Sequence, residues 1–192
     1  MLREKLKNYN IILASGSPRR QQFFKDLDID FTIQLKPVEE IYPKTLQAEE
    51  ITNYLADLKS KAFINLTEKD ILITSDTIVW LENKALGKPK DKVEAVKMLQ
   101  ELSGKTHKVI TSVSLKSKKH QQIISDSTQV TFKTLTKEEI EYYVTTYKPF
   151  DKAGAYGIQE WIGFIGIEKI EGSYFTVVGL PVHKLYKALS NL

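Results

Sequence analysis

Apolar residues in this chain alternate between short continuous runs and a spacing of three to four. "NIILAS" (10–15) is a short buried strand by that pattern. It leads into Ser17-Pro18, an N-cap followed by proline at the first helical position, and then into "PRRQQFFKDLD", with Phe23, Phe24 and Leu27 on one side. "FTIQL" predicts a second strand, followed by an irregular stretch, "KPVEEIYPKT". Ile51, Tyr54, Leu55, Leu58 and Ala62 predict a long helix over about residues 47–66. "DILITS" predicts a β-branched strand that stops at Asp76-Thr77; "IVWL" continues extended and "ENK" turns. "DKVEAVKMLQELSG" predicts a helix with Asp91 as N-cap, Glu94 three residues on and Gly104 as its stop. Strands near 106–116 and 122–133 follow, joined by the basic turn "LKSKKH". "TKEEIEYYVTTY" opens on a capping box, Thr136 with Glu139. After the loop "KPFDKAGAYGIQ", strands near 163–170 and 173–178 are expected as a hairpin through "EGS", then a last helix from near Pro181. Helices alternating with strands, with antiparallel pairs mixed in, predict an α/β protein with a mixed β-sheet flanked by helices.

A chain of 192 residues suits one domain, or one elongated domain with two lobes, and 42% apolar residues suffice for its core. The absence of cysteine excludes disulfides, zinc–thiolate sites and thiol catalysis. The net charge of +4 suits an anionic ligand, but the charges are spread, so nucleic acid is not an expected partner. No apolar run approaches the ~18 residues of a membrane span, and "MLREKLKNYN" lacks the apolar centre of a secretory signal. A cytoplasmic location is therefore expected. His107, His120 and His183 lie far apart and suggest neither a histidine metal site nor a Ser–His–Asp triad.

The chemistry-bearing residues gather in short motifs. In "LASGSPRR" (13–20), a helix N-terminus offers free N–H groups, Gly16 allows close approach, Ser15 and Ser17 carry hydroxyls, and Arg19 and Arg20 can fork onto phosphate. The same residues also make an ordinary capped helix start. Asp76 and Thr77 interrupt an apolar run, where a carboxylate is costly unless paired or metal-bound; a turn Asp is the alternative. "LGKP" (86–89) fixes Lys88 on a short turn. Lys59 and Lys61 lie about 200° apart on a helix, so only one of them can face a given site. Glu39 and Glu40 could share a cation. "DKAGAYGIQ" (151–159) sets two glycines beside Tyr156 and Gln159, whose amide suits a nucleobase edge.

Taken together, the motifs "LASGSPRR", "KA" (61–62), "SDTIV" (75–79), "LGKP", "LSGKTH" (102–107), "DKAGAYGIQ" and "GSYFTVVGLPV" (172–182) closely resemble the Maf family of nucleoside triphosphate pyrophosphatases. Ser75 stands where that family more often has Ala or Gly. The resemblance implies an elongated fold like that of inosine-triphosphate pyrophosphatases, with two lobes and a central cleft, spanning residues 1–192 as one domain. It implies hydrolysis of a nucleoside triphosphate to monophosphate and pyrophosphate with a divalent cation, Mg or Mn, commonly by a homodimer. Carried over by position, Asp76 is the catalytic carboxylate and, with Glu40, a metal ligand. Ser15, Arg20, Lys61 and Lys88 bind phosphate, and Arg19, Thr77 and Gln159 set substrate choice. Arg19 directly after Pro18, with Gln159 closing "GIQ", resembles the branch acting on dTTP and UTP. Two other readings remain: a protein that binds nucleotide without turnover, and a basic RNA-binding module.

Overall fold

The apolar runs at 11–13 and 71–73 form neighbouring parallel strands. β1 (Asn10–Leu13) pairs with the start of β3 (Asp70–Leu81), Asn10 opposite Asp70 through Leu13 opposite Ile73. Parallel strands of this kind are covered on both faces, which is why they read as continuous apolar runs. β2 (Thr32–Ile33) lies parallel on the other side of β1. β4 (Lys84–Leu86) returns antiparallel onto β3 through Glu82 and Asn83, both at positive φ, as a tight hairpin requires. With β5 (Thr106–Lys116), β6 (Gln121–Phe132) and β7 (Ile167–Glu171), the sheet has the order β2-β1-β3-β5-β6-β7. The expected mixed α/β sheet flanked by helices is present. The computed structural model describes all residues 1–192.

The chain divides into two compact units, residues 1–76, 111–126 and 179–192, and residues 77–110 and 127–178. In the first, Ile11, Leu13, Ile71 and Ile73 share a core with Phe24 of α2 (Pro18–Asp26), Leu2 and Leu6 of α1 (Leu2–Leu6), and Leu185 and Leu189 of α8 (Val182–Leu189). Ile12 and Leu72 point to the opposite face, against Phe63. That face also receives α3 (Glu49–Lys61), which buries Ile51, Leu55 and Ala56 and adds polar contacts. The Thr74 hydroxyl donates to the Ala56 carbonyl at 2.6 Å, and the buried Thr52 and Ser112 hydroxyls meet at 2.6 Å.

In the second unit, α4 (Lys92–Leu102) is capped by Asp91, which accepts from the Glu94 N–H at 2.8 Å. α5 (Lys137–Tyr147) carries the complete Thr136–Glu139 capping box. α6 (Trp161–Gly166) and α7 (Tyr174–Val178) occupy much of the region expected to be a strand hairpin. β7 alone is extended there, antiparallel to β6. The chain turns at Gly172, where a Cβ would meet the Thr128 hydroxyl at 2.7 Å, and Thr128 also holds the Ser173 carbonyl. That turn ends the ladder, and α7 starts.

Two further expectations change. "FTIQL" is extended over two residues only, because its partner β1 ends at Leu13. β3 does not stop at Asp76 but runs on to Leu81. No helix is long and apolar enough to cross a membrane. Because Phe24 fills the core beneath α2, Phe24→Ala is expected to cost about 3–5 kcal/mol in urea unfolding. Exposed Phe164→Ala should stay within about 0.5 kcal/mol. Similar losses for the two would contradict this packing.

Candidate active site

Along β3, the period of two that sends Leu72 and Thr74 toward α3 sends Asp76 there as well. Thr74 is tied to Ala56, and Lys59 lies one helical turn further along α3. Lys59 Nζ therefore reaches Asp76 Oδ1 at 2.6 Å and Glu40 Oε1 at 3.0 Å. The Asp76 and Lys59 side chains are only 8% and 19% exposed, so this pair is far from an ordinary surface bridge. Burial pushes the Asp76 carboxyl above its usual range, Lys59 and Arg20 pull it back, and Glu40 adds to the rise.

Arg20 forms the second part of the group. Its Nε donates to the Gly179 carbonyl at 2.8 Å, and Nη1 donates to the Ser75 carbonyl at 3.0 Å and the Ser15 hydroxyl at 3.4 Å. Burial lowers its pKa to about 10, with Asp76 opposing and Arg19 reinforcing the shift. It stays a cation at neutral pH. Ser15 Oγ also accepts from the Ser17 N–H at 3.3 Å, and the Ser15 carbonyl accepts from Gln21 at 3.2 Å. Ser17 occupies the N-cap position as expected, yet its side chain makes no cap bond. The hydroxyl that organises this turn belongs to Ser15.

The structure thus brings Ser15, Arg20, Glu40 and Asp76 into one group, with Arg19 beside Arg20. It does not bring Lys61 there. Lys61 turns away to Asp57 at 2.7 Å, one helical turn back, and is 67% exposed. The lysine facing the carboxylates is Lys59, which the sequence reading passed over. A signal existed: Lys59 continues the buried row Thr52, Leu55 and Ala56 at helical spacing, whereas Lys61 leaves it.

Thr77, Lys88 and Gln159 belong to the second unit. Thr77 is half-buried; Lys88 and Gln159 are exposed. Their supports are tied together within that unit. The Gly154 N–H donates to the Gly87 carbonyl at 3.0 Å, joining the "DKAGAYGIQ" loop to the "LGKP" turn. Gly154 has φ 67° and sits where a Cβ would meet Val79 Cγ2 of β3 at 2.7 Å. His107, buried against Phe132, hydrogen-bonds the Tyr156 hydroxyl at 2.7 Å from below the loop. Burial depresses the His107 pKa to about 4, so the ring is neutral at physiological pH.

Whether a divalent cation suits the first group can be judged from its donors. Glu40 and Asp76 already hold one cation, the Lys59 ammonium, between hard carboxylate oxygens. No third His, Cys, Asp or Glu joins them. A magnesium-like ion with two carboxylates, completed by phosphate and water, fits such a set; a closed protein cage does not.

The family model for Maf-like proteins matches residues 10–192. The chain belongs to the Maf-like family. A Maf-like relative from Christiangramia forsetii, a "dTTP/UTP pyrophosphatase", is 63% identical over 100% of this chain and 98% of its own. A protein of the same name from Flavobacterium psychrophilum is 62% identical, with the same coverage. Among solved structures, a HAM1 protein from Coxiella burnetii aligns over 96% of this chain and all of its own, with TM-score 0.50 and 15% identity, a likeness of fold alone.

Removing the Lys59 ammonium leaves a buried carboxylate without its cation. Lys59→Met is expected to cost about 3 kcal/mol of stability at neutral pH. Lys61→Met, at an exposed i,i+4 pair, should change stability by less than about 0.5 kcal/mol. Urea unfolding of both variants checks the assignment, and the reverse order would refute it.

Proposed function

We propose that this Maf-like chain is a nucleoside triphosphate pyrophosphatase hydrolysing dTTP and UTP to the monophosphate and pyrophosphate. Relatives bearing that name match along the whole chain. The observation that carries the chemistry is the buried Asp76 carboxylate, its proton affinity raised by burial and its charge balanced by Lys59 and Arg20. Such a group can orient a water and take its proton. The water oxygen bonds to the α-phosphorus, the bond from that phosphorus to the α–β bridging oxygen breaks, and pyrophosphate leaves with the bond's electrons.

Ser15 and the start of α2 seat phosphate oxygens, and Lys88 adds charge from its turn. Arg20 fixes the Ser15 turn and supplies positive potential, since its Nε is committed to the Gly179 carbonyl and its Nη1 to Ser15 and Ser75. Lys59, rather than Lys61, takes the phosphate-facing role. Mg or Mn held by Glu40 and Asp76 would supply neutralisation of the triphosphate charge. Arg19, Thr77 and Gln159 set the choice of base. Uracil and thymine present one N–H between two carbonyls, and the Gln159 amide both donates and accepts. The resemblance alone extends the reading to a homodimer and a single two-lobed domain over residues 1–192, and a cytoplasmic location suits hydrolysis of nucleoside triphosphates.

Asp76→Asn is expected to keep the fold and nucleotide binding while lowering turnover of dTTP about 10²–10⁴-fold. In the unaltered chain, activity falls as pH drops through the Asp76 pKa, which burial holds above the usual aspartate value, because the protonated carboxyl accepts no proton. Steady-state assays with dTTP, UTP and purine triphosphates check both. Near-normal turnover by Asp76→Asn, or equal rates on purines, would refute the assignment.

A further inference from the structure

We propose that Tyr143, Glu160 and Lys152 form a positioning device that fixes how Gln159 is presented and thereby sharpens base choice. The inference rests on Gln159 being the base-reading residue. Gln159 is exposed, so its placement comes from the backbone on either side. That backbone is a four-residue turn, Gly157 to Glu160, closed by the Glu160 N–H donating to the Gly157 carbonyl at 3.0 Å. One hydroxyl spans both ends of the turn. Tyr143 Oη accepts from the Gly157 N–H at 3.0 Å and donates to Glu160 Oε2. The other Glu160 oxygen, Oε1, accepts from Lys152 Nζ at 3.0 Å, and Lys152 also pairs with Asp151 at 2.7 Å.

The surroundings leave this arrangement little freedom. Tyr143 is fully buried on α5. Burial and Glu160 raise its pKa, so the hydroxyl remains a donor at physiological pH. A Cβ on Gly157 would meet Glu160 Cδ at 2.9 Å and Lys152 Cε at 3.1 Å. A Cβ on Gly163 would fall 2.0 Å from the Ile158 carbonyl oxygen. Lys152 is itself buried, and a buried ammonium is costly unless carboxylates such as Glu160 and Asp151 pair with it. A polar cluster of this kind, built around a turn that bears an exposed amide, fixes geometry: small displacements of a base-reading amide cost hydrogen bonds that only the correct base makes.

The test compares kcat and KM for dTTP and dCTP in the unaltered chain, Tyr143→Phe, Gln159→Ala and the double variant, with melting temperatures alongside. Tyr143→Phe keeps the ring and removes the hydroxyl. It is expected to lower the dTTP-over-dCTP ratio of kcat/KM about 3- to 10-fold, chiefly through KM for dTTP. In the Gln159→Ala background the same change should leave the ratio where Gln159→Ala alone puts it. Glu160→Gln, which keeps an acceptor for Tyr143, should lose less discrimination than Glu160→Ala, and this pair decides the matter if Tyr143→Phe does not fold. An unchanged ratio in Tyr143→Phe, or an equal loss in both backgrounds, overturns the positioning role while leaving Gln159 as the reader. An unchanged ratio in Gln159→Ala overturns the base-reading role itself, and the positioning role with it.

Discussion

The pairing of Asp76 with Lys59 is the constraint on which the first unit is organised. A carboxylate within a buried strand must be neutralised, bound to a cation or protonated. β3 turns Asp76 toward α3, so the cation has to come from that helix. Its position is fixed by contacts that look incidental in sequence, Thr74 on the Ala56 carbonyl and Thr52 on Ser112. Glu40, from the long irregular segment before α3, reaches the group through the same ammonium. One lysine thus gathers an acid from a strand and another from a loop.

Arg20 does comparable work for the backbone. Its donors join the Ser15 turn, the Ser75 carbonyl of β3 and the Gly179 carbonyl ahead of α8. The guanidinium is spent largely on assembling the start of α2. Its charge still bears on Asp76, where it partly offsets the cost of burial. In the second unit, the candidate base-reading loop is set by a different means: glycines at Gly154 and Gly157 that admit no side chain, and hydroxyls of Tyr143 and Tyr156 that tie the backbone down.

Much of this was legible in the sequence. The apolar runs at 11–13 and 71–73, the cap at Asp91 and the capping box at Thr136 announce their elements by local chemistry alone. Asp76 stands out because it breaks an apolar run. What failed were features decided by tertiary partners. Residues 173–178 are aromatic and β-branched, yet they form α7, because the turn at Gly172 against Thr128 ends the ladder. β3 continues past Asp76 because the carboxylate is paired rather than capping a turn. The two-residue match "KA" points to Lys61, whereas the buried row of α3 runs through Lys59. The Tyr143–Glu160 bond joins residues 17 apart, and no local pattern reveals it.

In the mechanism we propose, a water activated at Asp76 attacks the α-phosphorus of a pyrimidine nucleoside triphosphate. Hydrolysis of dTTP in ¹⁸O-labelled water, with mass analysis of both products, tests it most directly. Attack at the α-phosphorus leaves dTMP carrying one ¹⁸O and pyrophosphate carrying none. Label in pyrophosphate, or release of dTDP and labelled phosphate, would contradict it.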